Sequence, residues 1–296
     1  MRINRDRWVA IALIAPSLIA VGIFVYGFIA WSLRVSLSDW QGLIPSYNFV
    51  GLRNYAHLIF DDRRFHIGVR NTAVFTTVFL SAAIVVGLML ALLIDRKLPA
   101  EGFFRNVFLF PMAVSFIVTG VAWRWLMNPA TGGRTSGLNL LLDHAGLGFL
   151  QNSWHSTAPP WGIAFVGIPA MWQMAGFAMA LFLAGLRAIP DDLREAARVD
   201  GAGERQVYRH VILPLLRPAL LSAVIILGHI SLKIFDLIVA MGRSTALDVP
   251  SIYMWNTTFD ANNYSRGAAI GIMMLVSVAV LVVPYLIYAR RQEAEL

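Results

Sequence analysis

The chain has 296 residues, 58% hydrophobic and 14% charged, with a net charge of +7 and no cysteine. Its mean hydropathy of +0.65 is too high for an ordinary soluble domain and marks an integral membrane protein. The missing cysteines exclude a disulfide framework, a thiol nucleophile and a Cys-ligated metal, and arginines near membrane ends speak for topology rather than nucleic-acid binding.

Three arginines precede an apolar run from Trp8 to about Leu33. The run is longer than a signal-peptide core, so it is expected as an uncleaved first span over about 8–33. Residues 35–70 are polar and hold the turn residues Gly42, Pro45 and Gly51, which predicts a strand-like, turn-rich external segment. A second span is expected over about 71–94. The short loop 95–106 that follows, with Arg96, Lys97 and Arg105, should face the cytoplasm. A third span covers about 107–127, with Trp123 and Trp125 as an interfacial belt at its outer end and Arg124 as an anchor. Residues 128–157, rich in Gly, Asn and His, form a second external segment, and a fourth span runs over about 159–186.

A polar island then interrupts the apolar pattern at residues 187–217. Arg187, Arg194, Arg198, Arg205, Arg209 and Arg217 fall there with Asp191, Asp192, Glu195, Asp200 and Glu204. A segment so charged cannot lie in lipid and must fold at the membrane surface. Pro190 suits a first helical position, and Asp191 and Asp192 set negative charge beside the positive end of the helix dipole. Leu193, Ala196, Ala197 and Asp200 share one face, and Gly201 ends the helix. A second helix opens at Gly203, with Val207, Val211 and Leu215 expected along one side until Pro214 and Pro218 reset the backbone. A fifth span over about 218–241 follows, then external residues 242–265. A sixth span covers about 267–289 and is closed on the inside by Arg290 and Arg291. Lys and Arg concentrate in the segments assigned inside, which places both termini in the cytoplasm.

The island carries a spaced string: Glu195-Ala196-Ala197, Gly201 after three residues, Val211 after nine more, then Leu213-Pro214. The string resembles the signature loop of the membrane subunits of binding-protein-dependent ABC importers. Asp200-Gly201-Ala202 narrows the resemblance to carbohydrate importers of the maltose and glycerol-phosphate type. The stretches FVGLRNYAHLIFDD (49–62), FFRNVFLFPMAVSFIVTGVAWRWLMNP (103–129) and FLAGLRAIP (182–190) are similar to sugar permeases in the same order. HISLKIFDLIVAM (229–241) is similar to the longer permease of glucose or mannose importers. Gly242-Arg243-Ser244 departs from the family, which usually has a Thr-x-Gly-Gly-Pro turn there.

The resemblance implies an all-α membrane protein with the six-helix type I ABC importer permease fold. Its cytoplasmic coupling-helix loop would dock in a separate ATPase through Glu195, Ala196, Ala197, Asp200, Gly201, Ala202, Leu213 and Pro214. It further implies a second permease as heterodimeric partner, two copies of the ATPase, and a periplasmic or surface-anchored sugar-binding protein, in a bacterial or archaeal cytoplasmic membrane. ATP and Mg would be bound by the ATPase chains, with no cofactor in this one. The substrate leans toward glucose or mannose, with a di- or oligosaccharide, another glycoside or glycerol phosphate as alternatives.

The residues themselves agree with a non-catalytic chain. Neither Lys97 nor Lys233 is followed by Ser or Thr, so no GxxxxGK[ST] phosphate loop exists. The histidines form no HExxH, and no Gly-x-Ser-x-Gly turn occurs. Polar groups inside spans are costly and are functional candidates. His229, Lys233 and Asp236 fall at i, i+4 and i+7, on one face of an unbroken helix; they either line a hydrated path or merely hold helices together. Trp172, Gln173, Met174 and Phe177 in span four, and His229 and Ser231 in span five, offer the amide, hydroxyl and aromatic groups that a sugar needs, although packing alone would also use Met and Phe. By resemblance, Gln173, Met174, Phe177 and Ser231 match sugar-lining positions of the maltose relative. An ion-coupled secondary transporter is the rival; it would need paired carboxylates within the membrane, and the spans offer only Asp236.

Overall fold

The structure, a computed structural model, describes residues 2–96, 99–130, 134–242 and 244–294. Lys97 and Arg243 lie outside the described residues, as do the side chains of residues 2–7, Thr245 and 288–294, which include Arg290 and Arg291. The chain falls into two compact units, residues 1–65 with 251–276, and 66–250 with 277–296.

In the first unit, helix α1 is Arg2–Val21, continued through a π-helical turn Gly22–Gly27 into Phe28–Ser36. Its apolar stretch Trp8–Ser36 is long enough to cross a bilayer, and its most apolar window buries nothing against this chain. Ser38 and Phe49 form an isolated antiparallel bridge. From Arg53 onward the segment expected to be strand-like is largely helical: α2 spans Arg53–Ala56 and widens into a π turn at His57–Asp61. Tyr55 and Leu58, at helical spacing, pack into a core with Phe65, Tyr253, Ala269 and Ile270. Asn54 holds the end of α1 by donating its Nδ2 hydrogens to the carbonyls of Ser36 (2.9 Å) and Ser38 (2.8 Å), which the helix leaves unpaired.

The second unit carries most of the remaining helices. Helix α3, Arg63–Asp95, begins in the first unit and runs eight residues further N-terminal than the expected second span. The third span is two helices, α4 (Glu101–Ala113) and α5 (Phe116–Leu126), bent by 95° at Val114 and Ser115. Pro111 removes a backbone donor near the end of α4, and Ser115 restarts the chain as an N-cap, its hydroxyl accepting the Val118 amide hydrogen at 3.3 Å. Helix α6 is Gly137–His144, and α7 is Trp161–Arg187.

Helix α7 is apolar all round, and two thirds of its most apolar window is buried, as befits the centre of a bundle. Close approach is bought by small residues: a Cβ on Gly176 would run into the carbonyl of Phe108, and one on Gly120 would lie 2.5 Å from the Cβ of Ala240.

The island folds as α8 (Asp191–Val199) and α9, which is Glu204–Val207, a π-helical turn Tyr208–Ile212, and Leu213–Leu215. Span five is α10 (Arg217–Leu232) and α11 (Asp236–Met241). The expected external segment 242–265 contains α12, Pro250–Trp255 with a π turn Asn256–Asp260, and the last helix, α13, is Tyr264–Ala294. Among the described residues, four helices are long and apolar enough to cross a membrane, and the bent pairs Glu101–Ala113 with Phe116–Leu126 and Glu204–Leu215 with Arg217–Leu232 bring the number to as many as six.

Candidate docking loop and substrate path

Helix α8 is closed by backbone geometry that its sequence dictates. Gly201 adopts φ +83°, a left-handed conformation that costs a residue with a Cβ about 1–2 kcal/mol. The Gly201 amide donates to the Arg198 carbonyl and the Ala202 amide to the Ala197 carbonyl, both at 3.0 Å, which completes a Schellman ending. Gly203 then starts α9, its amide hydrogen donated to Gln206 Oε1 at 2.9 Å. Arg198 Nε meets Glu204 Oε1 at 2.7 Å across the turn. The Glu204 carboxyl is held below its usual range mainly by that hydrogen bond, and the Arg198 guanidinium is raised by the same contact.

The signature residues do not share one environment. Glu195, Ala196, Asp200, Gly201 and Leu213 are exposed, while Ala197, Ala202 and Pro214 are half-buried. Val199, at 86% exposure, stands beside them at the tip of α8. The side expected to bury Val207, Val211 and Leu215 is corrected by the π turn, which inserts a residue into the helical repeat. Val207, Ile212 and Leu216 are the buried residues, and Leu215 is exposed.

Two residues whose role the sequence did not reveal fasten the loop. Arg194 Nη1 pairs with Asp95 Oδ2 at 3.0 Å, and its Nη2 donates to the Leu186 carbonyl at 3.1 Å. Asp95 closes α3 and Leu186 lies in the last turn of α7, so one side chain ties α8 to two long helices. Arg187 makes a second tie, to Glu101 at the start of α4 at 2.5 Å. Only the mixture of acidic and basic residues within loops 95–106 and 187–217 signals such pairing in the sequence.

The substrate-path residues separate into two places. Gln173 is buried in α7; its Nε2 donates to the Val114 carbonyl at 2.6 Å, the very residue at the α4–α5 bend, and its Oε1 is buried without a partner. Trp172 stands 6.0 Å from Trp123 in a tilted pair beside Thr119, whose buried hydroxyl also has no partner. Met174 is buried and Phe177 half-buried. In span five Ser231 is fully buried, donating to the Gly228 carbonyl at 2.7 Å and accepting from Thr76 Oγ1 at 2.9 Å, so its hydroxyl is engaged in helix packing. The common face expected for His229, Lys233 and Asp236 is not formed, because α10 stops at Leu232 and α11 starts at Asp236. Lys233 and Asp236 are both exposed, and no ion pair joins them among the described residues. Among the described residues, no three His, Asp or Glu side chains converge to hold a metal ion.

Residues 83–294 match the family model described as binding-protein-dependent transport system inner membrane component. The chain belongs to that family. This permease chain is similar to a probable ABC transporter permease protein of Pyrococcus horikoshii, 38% identical over 99% of each chain. It is also similar to the xylose/arabinose import permease of Haloferax volcanii, at 34% identity over 93% of this chain and 86% of that one. A trehalose/maltose transport system permease of Thermococcus litoralis is 31% identical, over 95% and 94% respectively. Among solved structures, a bacterial ABC transporter involved in alginate import superposes with a TM-score of 0.79 at 22% identity, covering 98% of this chain and 99% of that one, which shows a shared fold. The permease is thus an all-helical, multi-pass, non-catalytic membrane subunit of an ABC transporter with the type I importer fold.

Proposed function

We propose that this permease forms, with a second and different permease, the membrane path of a sugar importer. In this reading an ABC ATPase dimer, carrying ATP and Mg, docks from the cytoplasm on α8 and the start of α9 and on the equivalent loop of the partner permease. A periplasmic or surface-anchored binding protein delivers the sugar on the opposite side. The observation that carries the reading is the exposed ending of α8, where the small residues Ala196 and Gly201 are flanked by the carboxylates Glu195 and Asp200 on a surface that the chain itself leaves uncovered. A Cβ built on Gly201 meets nothing within 4 Å, so the space in front of it is available to a partner.

Closing of the ATPase dimer on ATP would pull the two docking loops together. Through Arg194 and Arg187 that movement passes to α3, α7 and α4, and so to the bend at Val114 that Gln173 holds. Trp172, Gln173, Met174, Phe177, His229, Ser231 and Lys233 remain the candidate path, of which Gln173 has the strongest support, because its unpaired Oε1 is a buried acceptor in search of a hydroxyl donor.

The sugar class is supported by relatives whose names specify xylose/arabinose and trehalose/maltose. Glucose or mannose, the lean of residues 229–241, stands beside pentoses and disaccharides as the substrate to be tested. The test is to tag this chain, extract it from native membranes in mild detergent and identify its companions by mass spectrometry. An ATPase, a second permease and a sugar-binding protein are expected. Recovery of this chain alone, where other membrane complexes survive, would instead favour a self-sufficient transporter.

A further inference from the structure

A second polar pocket lies far from the docking loop. Its volume is about 490 Å³, within the ~300–1,000 Å³ range of small-molecule sites, and it is lined by Arg124, Trp125, Asn128, His155 and Ser156. Arg124 and Trp125 come from the last turn of α5, and His155 and Ser156 from the turn that precedes α7. Since α7 runs on for 27 residues before the island, the pocket stands about 40 Å along that helix from the docking loop.

His155 is more than nine-tenths buried, and its Nδ1 has no hydrogen-bond partner. The ring lies beside the Met127 backbone and the Arg124 side chain. Burial, and then the Arg124 cation, hold His155 below the usual histidine range, which favours the neutral ring, one nitrogen a donor and the other an acceptor. A buried ring nitrogen left open is costly unless a ligand or water pairs with it. Asn128 is already committed, its Nδ2 to Ser136 Oγ at 2.8 Å and its Oδ1 to the Ala130 amide at 3.1 Å, and therefore shapes the wall. Among the described residues, the free polar groups of the lining are Nδ1 of His155, the guanidinium of Arg124 and the hydroxyl of Ser156. Trp125, 66% exposed, adds an apolar ring face.

We propose that this pocket is a saccharide subsite at the end of the span opposite the docking loop, where an incoming neutral sugar rests before it reaches the path at Gln173. A sugar hydroxyl both donates and accepts, so it can pair with His155 Nδ1 in either tautomer as well as with the donors beside it, and the C–H face of a pyranose matches an exposed indole. An anion would meet Arg124, but only a hydroxyl pairs with Nδ1 whichever ring nitrogen carries the proton, so the pocket favours neutral polyols. The inference rests on the sugar-import reading.

The test uses the assembled transporter in nanodiscs with diazirine derivatives of xylose, glucose and trehalose as photoprobes, alongside ATP-driven uptake of the three unmodified sugars in proteoliposomes. The transported sugar's probe should label peptides containing Arg124–Asn128 or His155–Ser156, and excess unmodified sugar should suppress the labelling. Trp125→Ala, an exposed change, and His155→Leu should each lower labelling about tenfold, the effect of one lost contact worth about 1.4 kcal/mol. His155→Gln, which keeps one donor and one acceptor, should restore it where a purely structural role for the imidazole would not. If a sugar is taken up but its probe labels only elsewhere, or labels these peptides equally in Trp125→Ala, the subsite is wrong and the import reading stands. If none of the three sugars is taken up, both fall.

Discussion

Arg194 and Asp95 are 99 residues apart in the chain, yet their side chains meet at 3.0 Å and are largely shielded from solvent, with 15% and 9% of their surface exposed. Arg194 sits mid-way along the docking helix and Asp95 is the last residue of α3. A contact that an outside partner makes with α8 is therefore felt directly by a long apolar helix. Breaking a mostly buried pair by removing one partner strands a charge and costs up to about 3–5 kcal/mol.

Asp95→Ala should therefore lower thermal stability measurably, whereas Asp95→Glu should recover most of it. In membranes that still assemble the complex, Arg194→Lys should leave ATP hydrolysis in place but weaken its dependence on substrate, because a single ammonium cannot hold both Asp95 and the Leu186 carbonyl. Hydrolysis and uptake assayed together would check it; unchanged coupling would show that the pair only stabilises the fold.

Gly201 combines a positive φ of 83° with open space in front of it. Gly201→Ala should cost about 1–2 kcal/mol locally, while Gly201→Trp should add to the same backbone strain a bulky group for which the chain leaves room and a docked ATPase does not. Co-purification of the ATPase should fall steeply for the Trp variant and only modestly for Ala. Normal transport by Gly201→Trp would remove this surface from the interface.

The Gln173 bond to Val114 at 2.6 Å ties α7 to the α4–α5 bend. Gln173→Leu should release the bend and leave the Val114 carbonyl unpaired, a loss of about 1–3 kcal/mol, and it should reduce uptake more than it reduces assembly. Gly176→Leu, by contrast, should prevent α4 and α7 from packing at all and abolish the folded protein, as read by detergent-extracted yield.

The Arg198–Glu204 pair is exposed, so its effect is local. Because the folded carboxyl of Glu204 lies below its ordinary value of 4.5, the tie is present above that pH and is lost as pH falls through the depressed value. Protection of the amides of residues 201–207 against hydrogen exchange, taken relative to the intrinsic rate at each pH, should fall on acidification to about that range and in high salt. Exchange indifferent to both would mean that the backbone turn holds itself.

The parts of the fold most legible in the sequence were those set by local chemistry. Pro190, Asp191, Asp192 and Gly201 mark the start and end of α8, and apolar length marks the long helices. Less legible were features created by two segments at once. The π turn Tyr208–Ile212 shifts which residues are buried, and no spacing rule announces it. The breaks at Val114 and Lys233 divide stretches that read as continuous spans, since tertiary support for a bend carries little local signal; Pro111 and Ser115 were the only hints at the first. Gln173 stood out as an amide in an apolar run, but its partner is a backbone carbonyl 59 residues away. His155 carries no local signal, because Arg124 and Met127, which lie beside its ring, come from the end of α5 about thirty residues earlier.

The central claim, an ATP-driven sugar path coupled through α8, is tested most directly by uptake into proteoliposomes. The assembled complex and its binding protein would be supplied with radiolabelled xylose, glucose and trehalose, with ATP enclosed and no ion gradient. The account predicts accumulation of at least one sugar that requires both ATP and the binding protein and that Gly201→Trp abolishes. Uptake that ignores ATP but collapses when a proton or sodium gradient is dissipated would contradict it.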